Sequence, residues 1–136
     1  MQNKVIVEIF YVGKNFSAHV PALPGCVSTG STPGEIKANI KEAIAFHVAS
    51  SLADSDPIAP EFVAGNYQLV FKFDAESLLA YYKGIFTNAA FERITGISQA
   101  QISHYATGLK KPRPAQIKKI KTALHNLGQE LLEVEL

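Results

Sequence analysis

The chain of 136 residues has one cysteine, few carboxylates on its expected strands and no apolar run long enough to span a bilayer. A lone thiol, Cys26, excludes an intrachain disulfide and, without a second cysteine at metal-ligand spacing, a zinc cluster of the usual kind. Its expected role is that of a small buried residue. A membrane helix needs about 18 consecutive apolar residues and nothing here approaches that, so no membrane partner is expected. The opening MQNKVIVEIF also lacks the long apolar stretch and cleavage site of a secretory leader, which makes a cytoplasmic location the expectation. No internal repeat or low-complexity tract is present.

The scarcity of acids matters for catalysis. A two-metal hydrolytic site gathers several carboxylates from strands and a helix. Here the first expected strand carries only Glu8, the second and third carry none, and Asp54 and Asp56 fall in a loop. Cys26 with His19 or His47 could be imagined as nucleophile and base, but no spacing supplies an orienting acid. The chain is therefore expected to be no enzyme and to need no cofactor.

What is present is an asymmetry of charge beneath a net +1. Through Asp74 there are five Lys/Arg against seven Asp/Glu, and from Ala75 onward eight against five. Between Lys83 and Lys121 the balance is +7, with Glu92 the one acid. A basic cluster is usually a solvated face; it gains meaning only where it coincides with a recognition pattern.

The first half reads as strands and one long helix. Lys4 to Tyr11, rich in β-branched and aromatic residues, is a strand, and a turn at Gly13 to Asn15 leads to a second, Phe16 to Val20. Pro21 and Pro24 bracket a loop, and Cys26 to Thr29 makes a third short strand. Thr32, Pro33 and Glu35 form a helix start, with Thr as N-cap, Pro in the first turn and Glu completing a capping box. The helix continues to about Leu52, with Ile36, Ile40, Ala43, Ile44, His47, Val48 and Ser51 on one stripe and Lys37, Lys41 and Glu42 toward water. Asp54 to Asn66 reads as a loop and Tyr67 to Phe73 as a fourth strand. The expected class is α+β, a small antiparallel sheet carrying one long helix.

From Ala75 the period becomes helical. Ser77 to Lys83, Asn88 to Thr95 and Ser98 to Thr107 are expected helices, and Pro114 opens a fourth with Ile117, Ile120, Leu124 and Leu127 on its apolar stripe, ended at Gly128. The final GQELLEVEL reads as a short helix followed by an extended Glu133 to Leu136.

The centre of this half is Phe91 to Pro114, FERITGISQAQISHYATGLKKPRP. Gly96 closes one helix, Ile97 is a buried turn residue, and Ser98 with Gln101 caps the next. Ile102 and Tyr105 point into a core, leaving Gln99, Ala100, Ser103, His104 and Thr107 on an uncharged polar face suited to base edges in a major groove. Gly108 ends the helix, and Lys110, Lys111 and Arg113 follow where phosphates would pass, joined by Asn88 and Ser98.

Gly96, Ile97-Ser98-Gln99, Ile102-Ser103 and the G-x-x-x-P from Gly108 to Pro112 resemble the helix-turn-helix of the Cro and phage-repressor class. Glu92 departs from it, standing where the family has Ala or another small residue, which implies either a looser crossing of the two helices or a carboxylate turned outward. In the first half, V-P-x-L-P-G-C from Val20 to Cys26, S-T-G-S-T-P-G-E from Ser28 to Glu35, and the helix with Glu42, Ala43 and His47 resemble the HicB-type antitoxin domain, a partial RNase H-like fold. Ala38 and Asn39 depart from that family's usual E-A after the capping glutamate.

Together the resemblances imply a toxin-binding domain over residues 1–74 and a DNA-binding domain over 75–136. The implied function is an antitoxin that blocks a HicA-type ribonuclease toxin and represses its own operon by binding double-stranded operator DNA. A two-fold repressor implies a homodimer or a larger even-numbered assembly. By the same resemblance Pro21, Leu23, Pro24 and Gly25 are candidates for the toxin contact. The alternative from another class is a stand-alone helix-turn-helix regulator whose first domain senses a small ligand. A nuclease is the least favoured reading.

Overall fold

A computed structural model describes residues 3–136 and divides the chain into two compact units, one ending at Asp74 and the other spanning Ala75–Leu136. The first unit runs β1 (Asn3–Val12), β2 (Asn15–His19), β3 (Val27–Gly30), α1 (Pro33–Ala53), α2 (Pro60–Ala64) and β4 (Tyr67–Phe73). Its sheet order is β3-β2-β1-β4.

The α+β class is as expected, and the antiparallel sheet is corrected at one edge. β1 pairs antiparallel with β2, from Glu8 opposite His19 to Val12 opposite Asn15, and β2 pairs antiparallel with β3. β4 instead lies parallel to β1, with Ile6 opposite Val70 and Glu8 opposite Lys72. The cause is the connection: a parallel neighbour needs a crossover of a dozen or more residues, and α1 supplies it.

α1 lies on the sheet because Ile36, Ile40 and Ile44, four residues apart, share one face, and all three are buried with Val5, Val7, Ile9, Phe16 and Ala18. Its start is fixed by the Thr32 hydroxyl, which accepts a hydrogen bond from the Glu35 N–H at 3.0 Å. Asn39, one of the departures from the HicB pattern, donates its side-chain amide to the Thr29 carbonyl at 2.8 Å and ties the helix to β3. The end of β3 comes so close to α1 that a Cβ on Gly30 would lie 2.8 Å from the Ile36 nitrogen.

The loop between β2 and β3 is two tight turns in succession. The Leu23 N–H donates to the Val20 carbonyl and the Cys26 N–H to the Leu23 carbonyl, each at 2.9 Å. Pro24 followed by Gly25 at φ 88° has the sequence of a type II turn, in which the third residue must adopt positive φ. The expected loop from Asp54 to Asn66 contains α2: Pro60 starts it, Gly65 closes it in the left-handed region, and buried Phe62 anchors it against the Tyr67 ring at 5.2 Å.

The second unit is four helices, α3 (Ala75–Tyr82), α4 (Asn88–Thr95), α5 (Gln99–Thr107) and α6 (Pro114–Leu132). Its core is Leu79, Phe91, Ile97, Ile102, Tyr105 and Ile120, with Leu78, Tyr82, Phe86, Ile94, Ala106 and Leu124 packed around it. α6 does not stop at Gly128 as expected but continues to Leu132. Gly128 is not among the glycines at positive φ, so it serves as an ordinary helical residue at a cost of about 1 kcal/mol relative to alanine. Glu133 to Leu136 belongs to no strand, and Leu131, Leu132, Val134 and Leu136 are exposed. Among the described residues, no helix is long and apolar enough to cross a membrane.

Candidate nucleic-acid interface

The turn between α4 and α5 is built from hydrogen bonds that leave little freedom. Thr87 caps α4 by accepting from the Ala90 N–H at 3.0 Å, and Gly96 closes it at φ 76°, its N–H donating to the Glu92 carbonyl. The Thr95 hydroxyl donates to the Phe91 carbonyl at 2.6 Å and accepts from the Ile97 N–H at 3.0 Å, bridging the end of one helix to the turn. Ile97 is buried, and Ser98 accepts from the Gln101 N–H at 3.3 Å. Two helices are thereby held at a fixed crossing, with Phe91 and Ile102 both fully enclosed between them and the rest of the core.

Ile102 and Tyr105 point inward, and the face opposite them carries the expected side chains. Gln99, Ala100 and Thr107 are exposed, while Ser103 and His104 are half-buried. The Thr107 hydroxyl donates back to the Ser103 carbonyl at 3.0 Å, so what it can offer outward is acceptor capacity and a methyl group. His104 Nδ1 is closed off from solvent with no hydrogen-bond partner, so any bond its ring makes outward runs through Nε2. Of the expected phosphate contacts, Ser98, Lys110, Lys111 and Arg113 are exposed and Asn88, in the first turn of α4, is half-buried.

α5 ends at Gly108, φ 78°, where the Glu76 carboxylate packs so closely that a Cβ would approach it to 2.6 Å. The Lys110 N–H donates to the His104 carbonyl at 3.2 Å and draws the basic loop back against the helix. Beyond it, Lys110, Lys111, Arg113 and Lys119 line a recess of about 690 Å³ together with Gln101, Tyr105, Ala115 and Gln116. No acid lines it. α6 begins at this recess with Arg113 as an N-cap that makes no side-chain cap, so the positive end of a 19-residue helix adds to the four cations.

Residues 5–68 match the family described as HicB_like antitoxin of bacterial toxin-antitoxin system. The matched segment runs from β1 into β4 and contains the Pro21 to Gly25 loop; the face of α5 and the recess lie outside it. A curated relative, an uncharacterized 14.9 kDa protein in the rep-hol intergenic region of Haemophilus phage HP1, is 40% identical over 47 residues. That alignment covers 35% of this chain and 35% of the relative, so the chain matches about a third of the relative's length.

Within the HicB_like segment, Pro21, Pro24 and Gly25 are exposed. Leu23 is 4% exposed and belongs to the core, so its side chain anchors the loop that carries the exposed Pro21, Pro24 and Gly25. The adjoining strands present an open sheet face with Ile6, Phe10, Val27 and Val70 exposed. On it Glu8 pairs with His19 at 3.2 Å, and Phe10 stacks on the His19 ring at 5.9 Å. Cys26 is buried, and burial pushes its thiol pKa up, so at neutral pH it is the protonated, poorly nucleophilic form. Among the described residues no group of three or more His, Cys, Asp or Glu could hold a metal ion.

Three features escaped the reading of the sequence. Lys119, Gln101 and Gln116 join the recess, and helical spacing from Arg113 could have found the last of these. Thr95 braces the turn, for which no sequence pattern was available. Glu92 reaches α5, and its signal was present as a departure from the repressor pattern.

Proposed function

We propose that the chain is a non-enzymatic antitoxin and autorepressor, in which the HicB_like segment binds and masks a HicA-type ribonuclease toxin and the second unit binds operator DNA. The observation that carries the proposal is one conjunction: a HicB_like match in the first unit, and in the second an exposed uncharged face on a capped helix bordered by an acid-free cationic recess. Gln99, Ala100, Ser103, His104 and Thr107 read base edges, with Gln99 able to make the bidentate pairing that amides favour with adenine. Asn88, Ser98, Lys110, Lys111 and Arg113 hold the register through phosphates, which carry no sequence information themselves.

The helix-turn-helix acts as a homodimer or a larger even assembly on two half-sites, because one nine-residue helix reads only a few base pairs. The toxin meets the exposed Pro21, Pro24 and Gly25 and the strands beside them. A gel shift with DNA from upstream of the chain's own gene tests the DNA half. Binding is expected, with severe weakening in the double variant Gln99→Ala, Lys111→Ala; unchanged binding in that variant would defeat the site assignment. Co-expression with a neighbouring small open reading frame tests the other half. A copurifying complex and rescued growth support it, and neither appearing removes the toxin-masking role.

A further inference from the structure

Glu92 Oε1 accepts a hydrogen bond from the Gln99 backbone N–H at 3.3 Å, and Oε2 accepts one from the Gln99 side-chain Nε2 at 3.4 Å. From this double contact we infer that Glu92 is a positioning residue that sets which base Gln99 selects. The inference rests on the proposed reading of α5 as the base-reading helix and deepens it. Three circumstances make the contact more than an incidental surface pair. Glu92 is half-buried on α4 next to Phe91, a fully enclosed core residue, so the carboxylate hangs from a fixed backbone. It lies against the first residue of α5, where the unpaired N–H groups of a helix start favour negative charge. It is also the one acid between Lys83 and Lys121, in the stretch where another negative charge opposes phosphate binding most.

The consequence follows from the chemistry of the two groups. A free glutamine amide can turn about its last torsion and present oxygen and nitrogen in either order. An ionised carboxylate only accepts, so beside Glu92 the Gln99 nitrogen must face inward along the helix start and the oxygen outward. Gln99 then shows a groove its Oε1 and its second Nε2 hydrogen in one fixed order. Adenine's major-groove edge needs such a pair, a donor for N7 and an acceptor for the N6 amino group. Guanine offers N7 and O6, both acceptors, and O6 would meet the Gln99 oxygen. Glu92 therefore exchanges some general affinity for discrimination at one base pair in each half-site.

The test is competition binding by the full chain to its upstream DNA, with each base pair of the half-site replaced in turn, for the unsubstituted protein and for Gln99→Ala, Glu92→Gln and Glu92→Ala. One position is expected to show a preference for A·T of roughly ten- to a hundredfold, the range of a good bidentate contact, and to lose it in Gln99→Ala. In Glu92→Gln, which keeps the side chain's size but can donate as well as accept, the preference at that position falls to within about threefold of none, while binding to unrelated DNA tightens. The preference is a ratio measured on one variant, so a uniform gain from removing a charge cancels out of it, and so does partial unfolding. A protein that binds no upstream DNA overturns the proposed function and this inference together. A preference that disappears in Gln99→Ala but survives intact in both Glu92 variants overturns the inference and leaves the function standing.

Discussion

The recess at the start of α6 makes a quantitative demand on the salt dependence of DNA binding. Lys110, Lys111 and Arg113 are exposed on its rim, and no acid lines it to neutralise them internally. If each neutralises one phosphate in each of two half-sites, the plot of log affinity against log salt should have a slope of about −5.4, from about −0.9 for each of six phosphates. A fourfold rise in salt, from about 50 to about 200 mM, then weakens binding by roughly 2,000-fold. Lys111→Gln removes two of those contacts in a dimer, which makes the slope shallower by about 1.8 and the loss over the same range roughly 12-fold smaller. Its base preference should not move, because phosphate contacts position without reading. Lys14→Gln, in the turn between β1 and β2, is the control and should leave the slope unchanged. Fluorescence anisotropy titrations at five or six salt concentrations measure all three. A Lys111→Gln protein with the parental slope, or one whose base preference changes while its slope does not, would refute the assignment of this loop to the phosphate backbone.

Two further expectations concern the first unit. Gly30→Ala should destabilise it by about 1–3 kcal/mol, because the added Cβ would sit 2.8 Å from the Ile36 nitrogen and 2.9 Å from its Cα, contacts that only a shift of α1 can relieve; a urea midpoint equal to the parent's would show that α1 yields freely. Cys26 should alkylate slowly with iodoacetamide at pH 8 and rapidly once urea unfolds the chain. Its thiol pKa is raised from 9.0 by burial, so the stability it contributes is fully present below the unfolded pKa and declines as pH rises past it; fast alkylation of the folded chain would contradict its enclosure.

Much of the fold could be read from local pattern because local pattern is what fixes it. The α+β class, β4 at Tyr67–Phe73 and α4 at Asn88–Thr95 are as expected, since an alternating apolar strand and a helix closed by glycine carry their own limits in sequence. The parallel edge did not show itself, because the residues of β4 alternate in the same way whichever direction they run beside β1; the direction is decided by the crossover and not by the strand. α2 was concealed in P-E-F-V-A-G, whose proline and glycine read as breakers when taken singly and as the start and end of one helical turn when taken together. Gly128 is the opposite case: a glycine suggests a stop, yet the apolar spacing of Leu124, Leu127 and Leu131 runs past it and so does α6.

The candidate site divides along the same line. Which face of α5 is outward follows from the three-residue step between Ile102 and Tyr105, so Gln99, Ala100 and Thr107 could be placed from sequence, and so could the cations after Gly108. Contacts across the turn could not, because they depend on the angle at which α4 and α5 cross. Glu92 shows the difference. A glutamate where a small residue is usual suggests either that the helices have moved apart or that the carboxylate has turned away. The structure resolves these in favour of a third arrangement, in which the carboxylate turns toward α5 and is taken up by the N–H and amide of Gln99. A charge that would be costly between two helices becomes favourable at the start of one, since the first N–H groups of a helix lack partners and carry partial positive charge. The departure from the repressor pattern is thus accommodated by the electrostatics of the next helix, and the residue it engages is the glutamine expected to meet the base.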